Sequence, residues 1–399
     1  MGLSSRKPGD AWCGHGADRR HDPLEAGGCG RRVGQGRQGR RNGLIALVLC
    51  LLAATALAAE PLKIATWNVG LDRKGPGLLV RDIVSGKAPQ VEAVLRVLAA
   101  LDADVVLLTS VDYDRGLVAG DLLADRLGTL GAPYRYRFAV RPNTGRPTGL
   151  DLDGDGLTGG PDDAQGWGLF SGQGGMLILS RLPVDAAGVR DFSDLLWVDL
   201  PGALLPDLSD AARRVQRLST TGHWEVPLIL SDGGRLRLLV WHATPPVFDG
   251  PEDRNGRRNH DETAFWLALL DGRLPLTPPV APFVLMGDAN LDPSDGDGRP
   301  EALQMLLAHP MLQDPAPRGA TDRRDAGQVG DAALDTAFYD SLGGLRLDYI
   351  LPSAGLPVTA AGVLWPGKTD PLAADLAAAS SHFPVWIVLD PLVAATPPP

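Results

Sequence analysis

The sequence predicts one α/β domain over roughly residues 61–390. Short apolar runs of strand length alternate with helix-period segments along the chain. No internal repeat is present, and no linker is long enough to divide the chain. The composition, 44% hydrophobic and 22% charged over 399 residues, is globular and excludes a low-complexity or multi-pass membrane protein.

Taken in order, Leu62–Thr66 and Val105–Leu108 read as buried strands, with Val91, Val94, Leu95 and Leu98 at helical spacing between them. Further strands are expected at Arg135–Val140, Met176–Leu179, Leu195–Asp199, Leu236–Trp241, Phe283–Met286, Leu347–Leu351 and Val385–Leu389. Helices are expected at 259–270 and 300–308. The first opens with the capping-box pair Asn259 and Glu262, the second with Pro300. Loops rich in Gly, Asp and Pro fill 143–174, 244–257, 291–299 and 314–335. Loops of that length in a compact chain are usually functional or metal-tied.

The N-terminus has its own logic. Residues 1–42 hold nine Lys and Arg, and residues 43–59 read GLIALVLCLLAATALAA before Glu60. A basic leader, an apolar stretch and Ala56-Leu57-Ala58 make the pattern of a secretory signal peptide. The alternative is an uncleaved anchor, although ~17 apolar residues is short for a span. Leu49 before Cys50 is not the small residue a lipoprotein signal requires. The expectation is a secreted or periplasmic protein, residues 59–399, monomeric and without stable membrane association.

Residues 1–58 hold nine basic and four acidic residues, which leaves 29 basic and 44 acidic residues, a net charge of −15. Cys13, Cys29 and Cys50 all lie in the leader, so the remaining chain makes no disulfide and relies on its core. Such acidity disfavours nucleic acid, whose binding rests on many Lys and Arg at phosphates. It leaves room for a small phosphate ester.

Polar side chains collect where strands end: Asn68 after the first, His242 after Leu236–Trp241, Asp288 and Asn290 after Phe283–Met286. Asp348 opens Leu347–Leu351, and His382 precedes the last strand. Singly, Asn and Asp after a strand turn or cap the chain. Together they are a set able to act on phosphate.

The order of these motifs resembles the endonuclease/exonuclease/phosphatase superfamily, the deoxyribonuclease I-like fold. The matching strings are TWN (66–68), ADVVLL (103–108), GGMLILSRLPV (174–184), WHATPP (241–246), GDAN (287–290), LDYILPS (347–353) and SSHFPVW (380–386). The resemblance implies a four-layer α/β sandwich, two packed mixed β-sheets flanked by helices. It also implies hydrolysis of a phosphomonoester or phosphodiester with a divalent metal, Mg2+ or Mn2+. His382 would face the phosphate as base or electrophile, oriented by Asp348. Asp288 would position water, Asn290 donate to a phosphate oxygen, His242 sit on the leaving-group side, and Asn68 lie beside the metal.

Two departures follow. The family has a Gln-Glu pair where this chain has Thr109 and Ser110, and Ser-Asp-His where it has Ser380-Ser381-His382. Both lost groups are carboxylates near the metal, and a hard cation needs charged oxygens. Asp112 and Asp114 are the candidate replacements; otherwise they cap a loop. The departures also raise a second reading, a catalytically silent member that binds a phosphorylated ligand or a surface partner. An extracellular nuclease is a narrower form of the enzyme.

Asp151, Asp153 and Asp155 with Gly156, and Asp162 at the twelfth position, have the spacing of a calcium loop, so a structural Ca2+ is expected there. The alternative is an acidic surface turn. The looser set Asp292, Asp295 and Asp297 is expected to hold its loop by Asx turns. Arg254, Asn255 and Arg258 lie in the one basic string, and the guanidinium fork suits two phosphate oxygens. Pairing with Asp253, Asp261 and Glu262 is the alternative.

Overall fold

A computed structural model describes residues 60–390, apart from 321, 322 and 324, so the expected signal peptide lies outside the described residues. In chain order the strands are β1 (Leu62–Leu71), β2 (Val105–Val111), β3 (Tyr136–Phe138), β4 (Gly175–Ser180), β5 (Arg190–Asp191), β6 (Gly222–Ile229) and β7 (Arg235–His242). Then follow β8 (Phe283–Asp288), β9 (Ala337–Tyr339), β10 (Gly343–Leu345), β11 (Asp348–Pro352), β12 (Val358–Val363) and β13 (Val385–Leu389). One sheet has the order β12-β13-β1-β2-β4-β3 and the other β11-β8-β7-β6-β5, while β9 and β10 form a separate ribbon.

Period-2 alternation explains the layering. Ile64, Val105, Leu107, Leu238, Val240, Val284 and Ile350 meet in the core between the sheets. Their neighbours Ala65, Trp67, Val106 and Leu108 pack outward on the helices Leu78–Ser85, Pro89–Leu101, Val118–Thr129 and Ala373–Ala379. On the far side Leu239, Trp241, Phe283 and Leu285 pack on the helices Arg254–Leu270 and Glu301–Leu307. The result is the expected four-layer sandwich, with helices outside two mixed sheets. Among the described residues no helix is long and apolar enough to cross a membrane.

Two expected elements are corrected. Leu195–Asp199 is not a strand: Trp197–Asp199 is a 3-10 turn, and only Leu196 makes a bridge, to Arg217. The indole of Trp197 is buried and donates to Asp261 Oδ2 at 2.6 Å, which draws the segment inward. The helix expected at 259 starts at Arg254, so Asn259 and Glu262 do not cap it. Asn259 Nδ2 donates to the carbonyls of Thr244 and Ala289 at 2.7 and 2.8 Å. Glu262 accepts from the Thr220 N–H and hydroxyl and from the Thr244 N–H, at 2.6, 2.7 and 2.7 Å. A polar helix face inside the protein thus fastens two loops.

Strand register sets the functional residues side by side. Asp288 pairs with His242 on parallel β7 and with Asp348 on antiparallel β11. In the other sheet Asn68 pairs with Thr109, and β13 runs back along β1 with Val385 opposite Thr66. The strand ends that carry Asn68, His242, Asp288 and Asp348 therefore open on one edge of the sandwich.

Candidate active site

Two hydrogen-bonded groups stand at that edge. In the first, Asn68 Nδ2 donates to Asp288 Oδ2 at 2.7 Å, and the Asn290 N–H donates to Asp288 Oδ1 at 2.8 Å. His242 Nε2 lies 3.5 Å from Asp288 Oδ2. Asn290 has a positive φ of 49°, and one amide hydrogen goes to the Ala243 carbonyl at 2.9 Å, which leaves the other for a ligand. Gly287 is required between β8 and Trp241: a Cβ there would collide with the Trp241 carbonyl oxygen.

In the second group His382 Nδ1 meets Asp348 Oδ2 at 2.8 Å. Thr336 Oγ1 donates to the same oxygen at 2.8 Å and accepts the N–H groups of Leu347 and Asp348, both at 2.9 Å. The Ser380 hydroxyl donates to the Asn68 carbonyl at 2.6 Å and accepts the His382 N–H at 3.0 Å, which joins the two groups.

Charge follows from this packing. Burial opposes a charged His382, but the carboxylates of Asp348 and Asp288 outweigh it and push the imidazole up to about 9. Burial raises Asp348 to about 6, which still leaves it ionised at neutral pH. The pair is therefore imidazolium and carboxylate. His242 goes the other way: burial lowers its pKa and keeps the ring neutral.

A cleft of about 1110 Å³ opens beside the first group, with Asn68, Ser110, His242 and Asn290 in its lining. Its lining carries six carboxylates, on Asp72, Asp153, Asp162, Asp207, Asp249 and Glu252, against Arg254 and Arg258. Trp167 and Phe248 stand exposed at it, Phe248 at 91%.

Several expected ligands have other work. Asp114 caps the helix Val118–Thr129, accepting from the N–H groups of Gly116, Val118 and Ala119. Asp112 accepts the N–H groups of Arg73 and Gly174 at 3.0 and 3.1 Å, and burial raises it to about 6. Both line a small separate pocket and not the cleft. Arg258 is buried, and its guanidinium donates to the carbonyls of Leu218, Gln165 and Arg217 at 2.8, 2.5 and 2.7 Å. It is a structural brace in place of the expected phosphate ligand. Arg254 lines the cleft and donates to Gln216 Oε1 at 2.7 Å, while the Asn255 amide is held by the Val247 carbonyl.

Asp151, Asp153 and Asp155 do cluster, exposed, within 4.8 Å of one another. Asp162 is not in that cluster; it lines the cleft, and its neighbour Asp163 closes the loop on the N–H groups of Leu152, Gly159 and Gly160. Asp292 accepts from Ser294, Asp295 and Arg346, as a loop-holding Asx turn does. His223 and Trp224 are core residues.

Three residues that the motifs did not reveal belong to the site. Asp72 lines the cleft four residues after Asn68, with Gln173 Nε2 at 3.4 Å from its Oδ2. Thr336 and Tyr339 lie just beyond the 314–335 loop, where no pattern marked them. An acid just beyond the strand that carries Asn68 was the one available signal, and it pointed to Asp72.

The donor set fits a hard divalent cation. Asp288, Asp348 and His382 offer ligand atoms within 4.8 Å of one another, and Asp348 Oδ1 is buried without a partner. Both His382 nitrogens are taken, by Asp348 and by Tyr339, so the available donors are oxygens, as Mg2+ and Mn2+ prefer.

The model of the endonuclease/exonuclease/phosphatase family matches residues 65–382. The chain belongs to that family, whose members act on phosphoester bonds with a divalent metal. Several solved structures are similar at low identity. An endonuclease/exonuclease/phosphatase from Beutenbergia cavernae DSM 12333 is 19% identical, covering 83% of this chain and 71% of its own, with a TM-score of 0.49. Sphingomyelinase C from Streptomyces griseocarneus is 19% identical over 82% of this chain and 99% of its own, at 0.44. The catalytic domain of human Nocturnin is 15% identical over 82% and 94%, at 0.45. No curated protein matches the sequence.

Proposed function

We propose that the protein is an exported, metal-dependent phosphoesterase that cleaves a small phosphomonoester or phosphodiester by in-line attack of water. The observation that carries this reading is the row His242, Asp288 and Asp348, set by strand register and facing Asn68 and His382 from the other sheet. Asp288 accepts and aligns the attacking water, held in place by Asn68 and the Asn290 N–H. Asn290 presents its remaining amide hydrogen to a phosphoryl oxygen. The charged His382 stabilises the added negative charge. A bound Mg2+ or Mn2+ supplies charge neutralisation at the phosphoryl oxygens; Asp72, Asn68, Asp288 and Asp348 Oδ1 are the oxygens that would hold it.

The acidic cleft argues for a substrate whose remainder is neutral or cationic and against a nucleic acid, which six carboxylates would repel. Export rests on the leader sequence. Serine at positions 110 and 381 favours a second reading, a silent member that binds a phosphorylated ligand. Hydrolysis of bis(p-nitrophenyl) phosphate and p-nitrophenyl phosphate by residues 59–399 separates the two. Each assay is run with Mg2+, Mn2+, Ca2+ and EDTA, beside His382→Ala. Metal-dependent turnover lost in the variant establishes the enzyme; no turnover in a folded protein moves the function to binding.

A further inference from the structure

Asn259 and Glu262 lie one turn apart on the helix Arg254–Leu270, and both are fully buried. The strands whose ends they reach stop short of the cleft, β7 at His242 and β8 at Asp288. The last sheet-like bonds run from the Ala243 N–H to the Asp288 carbonyl at 3.0 Å and from the Ala289 N–H to the Leu347 carbonyl at 2.9 Å. They fix the peptide units 242–243 and 288–289. The next unit along each chain is held by the helix instead.

A peptide unit is planar, with its C=O and N–H pointing opposite ways, so a grip on one end aims the other. In the unit Ala243–Thr244, Glu262 Oε2 takes the Thr244 N–H at 2.7 Å. The opposite end, the Ala243 carbonyl, accepts the side-chain amide of Asn290 at 2.9 Å. In the unit Ala289–Asn290, Asn259 Nδ2 donates to the Ala289 carbonyl at 2.8 Å. The opposite end, the Asn290 N–H, donates to Asp288 Oδ1 at 2.8 Å. The second Asn259 amide hydrogen goes to the Thr244 carbonyl at 2.7 Å and ties the two units together. Ala243, Thr244 and Asn290 all line the cleft.

Packing alone does not account for these two residues. A buried carboxylate is costly, and so is the Asn259 Oδ1, which is buried without a donor. Apolar side chains fill the core elsewhere on the same helix, at Phe265, Trp266 and Leu269.

We propose that Glu262 and Asn259 are positioning residues for phosphoester hydrolysis, each acting through one peptide unit. Glu262 aims the Asn290 amide at a phosphoryl oxygen, and Asn259 aligns the carboxylate of Asp288. The proposal rests on the phosphoesterase reading.

A double-mutant cycle of Glu262→Gln with Asn290→Gly tests it, read as kcat/KM on bis(p-nitrophenyl) phosphate, with melting curves for each protein. Glycine accepts the positive φ of residue 290 and removes only the amide. Glu262→Gln in the wild-type background is expected to lower kcat/KM by about tenfold or more. In the Asn290→Gly background the same change should cost less than about threefold, because the group it aims is gone. Trp197→Phe removes a bond to Asp261 on the same helix and touches neither unit. It should lower the melting temperature and leave kcat/KM within about threefold of wild type. If Glu262→Gln melts below the assay temperature, Glu262→Asp, too short to reach both loops, takes its place in the cycle. Equal losses with and without the Asn290 amide overturn the proposal, and so does a folded Glu262 variant with wild-type kinetics. Both outcomes leave the enzyme standing. Wild-type protein that hydrolyses no ester with any metal overturns the phosphoesterase reading itself, and the proposal falls with it.

Discussion

Asn68 and Asp288 are bonded side chain to side chain across two sheets that share no strand pairing, Nδ2 to Oδ2 at 2.7 Å. The bond aligns a carboxylate at the site and also closes the sandwich at its open edge. Asn68→Ala is expected to lower stability by about 1–3 kcal/mol, because a buried acceptor loses its donor, and to lower kcat well beyond that effect. Urea melts and kinetics on the same preparation check both. Unchanged stability would show that the sheets are held at this edge by other contacts.

The pH dependence of His382 has a definite sign. Its folded pKa is about 9 against an ordinary 6.5, so its contribution to stability is complete below 6.5 and is lost as pH rises through 9. Activity that needs the charged ring should hold through neutrality and fall over the same range. Asp348→Asn removes the largest raising influence, so the fall should move toward 6.5. A profile that stays in place in this variant contradicts the ion pair.

Arg258 and Arg254 should separate cleanly. Arg258→Met removes four hydrogen bonds to backbone carbonyls and is expected to cost about 3 kcal/mol, with KM unchanged in the protein that still folds. Arg254→Ala, at the cleft wall, should raise KM with little change in melting temperature. An increase in KM for Arg258→Met would restore it as a phosphate ligand.

Metal titrations distinguish Asp72 from Asp112. Asp72→Asn should raise the Mg2+ or Mn2+ concentration for half-activity by about tenfold or more, and calorimetric metal binding should weaken in parallel. Asp112→Asn, which changes a buried carboxylate that holds two backbone N–H groups, should alter stability and leave the metal titration alone. The reverse pattern would place the cation toward the smaller pocket.

The sandwich was legible because both faces of its central strands are buried, which writes apolar runs into β1, β2, β8 and β13. Asn68, His242, Asp288, Asp348 and His382 were legible because each follows or precedes such a run. What the sequence hid depends on distance. Arg258 and Glu262 look like surface charge in a polar string, and only packing reveals that buried loops claim them. Asp114 looks like a ligand until the helix beginning at Val118 takes it as a cap. Tyr339 sits on a three-residue strand between loops, and its contact with His382 spans 43 positions that no local pattern links.

The register His242–Asp288–Asp348 is made within paired strands, whereas most of the cleft wall comes from the segments 144–174, 206–208 and 244–255. Lengthening or exchanging those segments leaves the pairing untouched. The chemistry and the choice of substrate are thus separately heritable: new specificities can be grafted on as insertions, while a single-residue slip in β8 would silence every one of them.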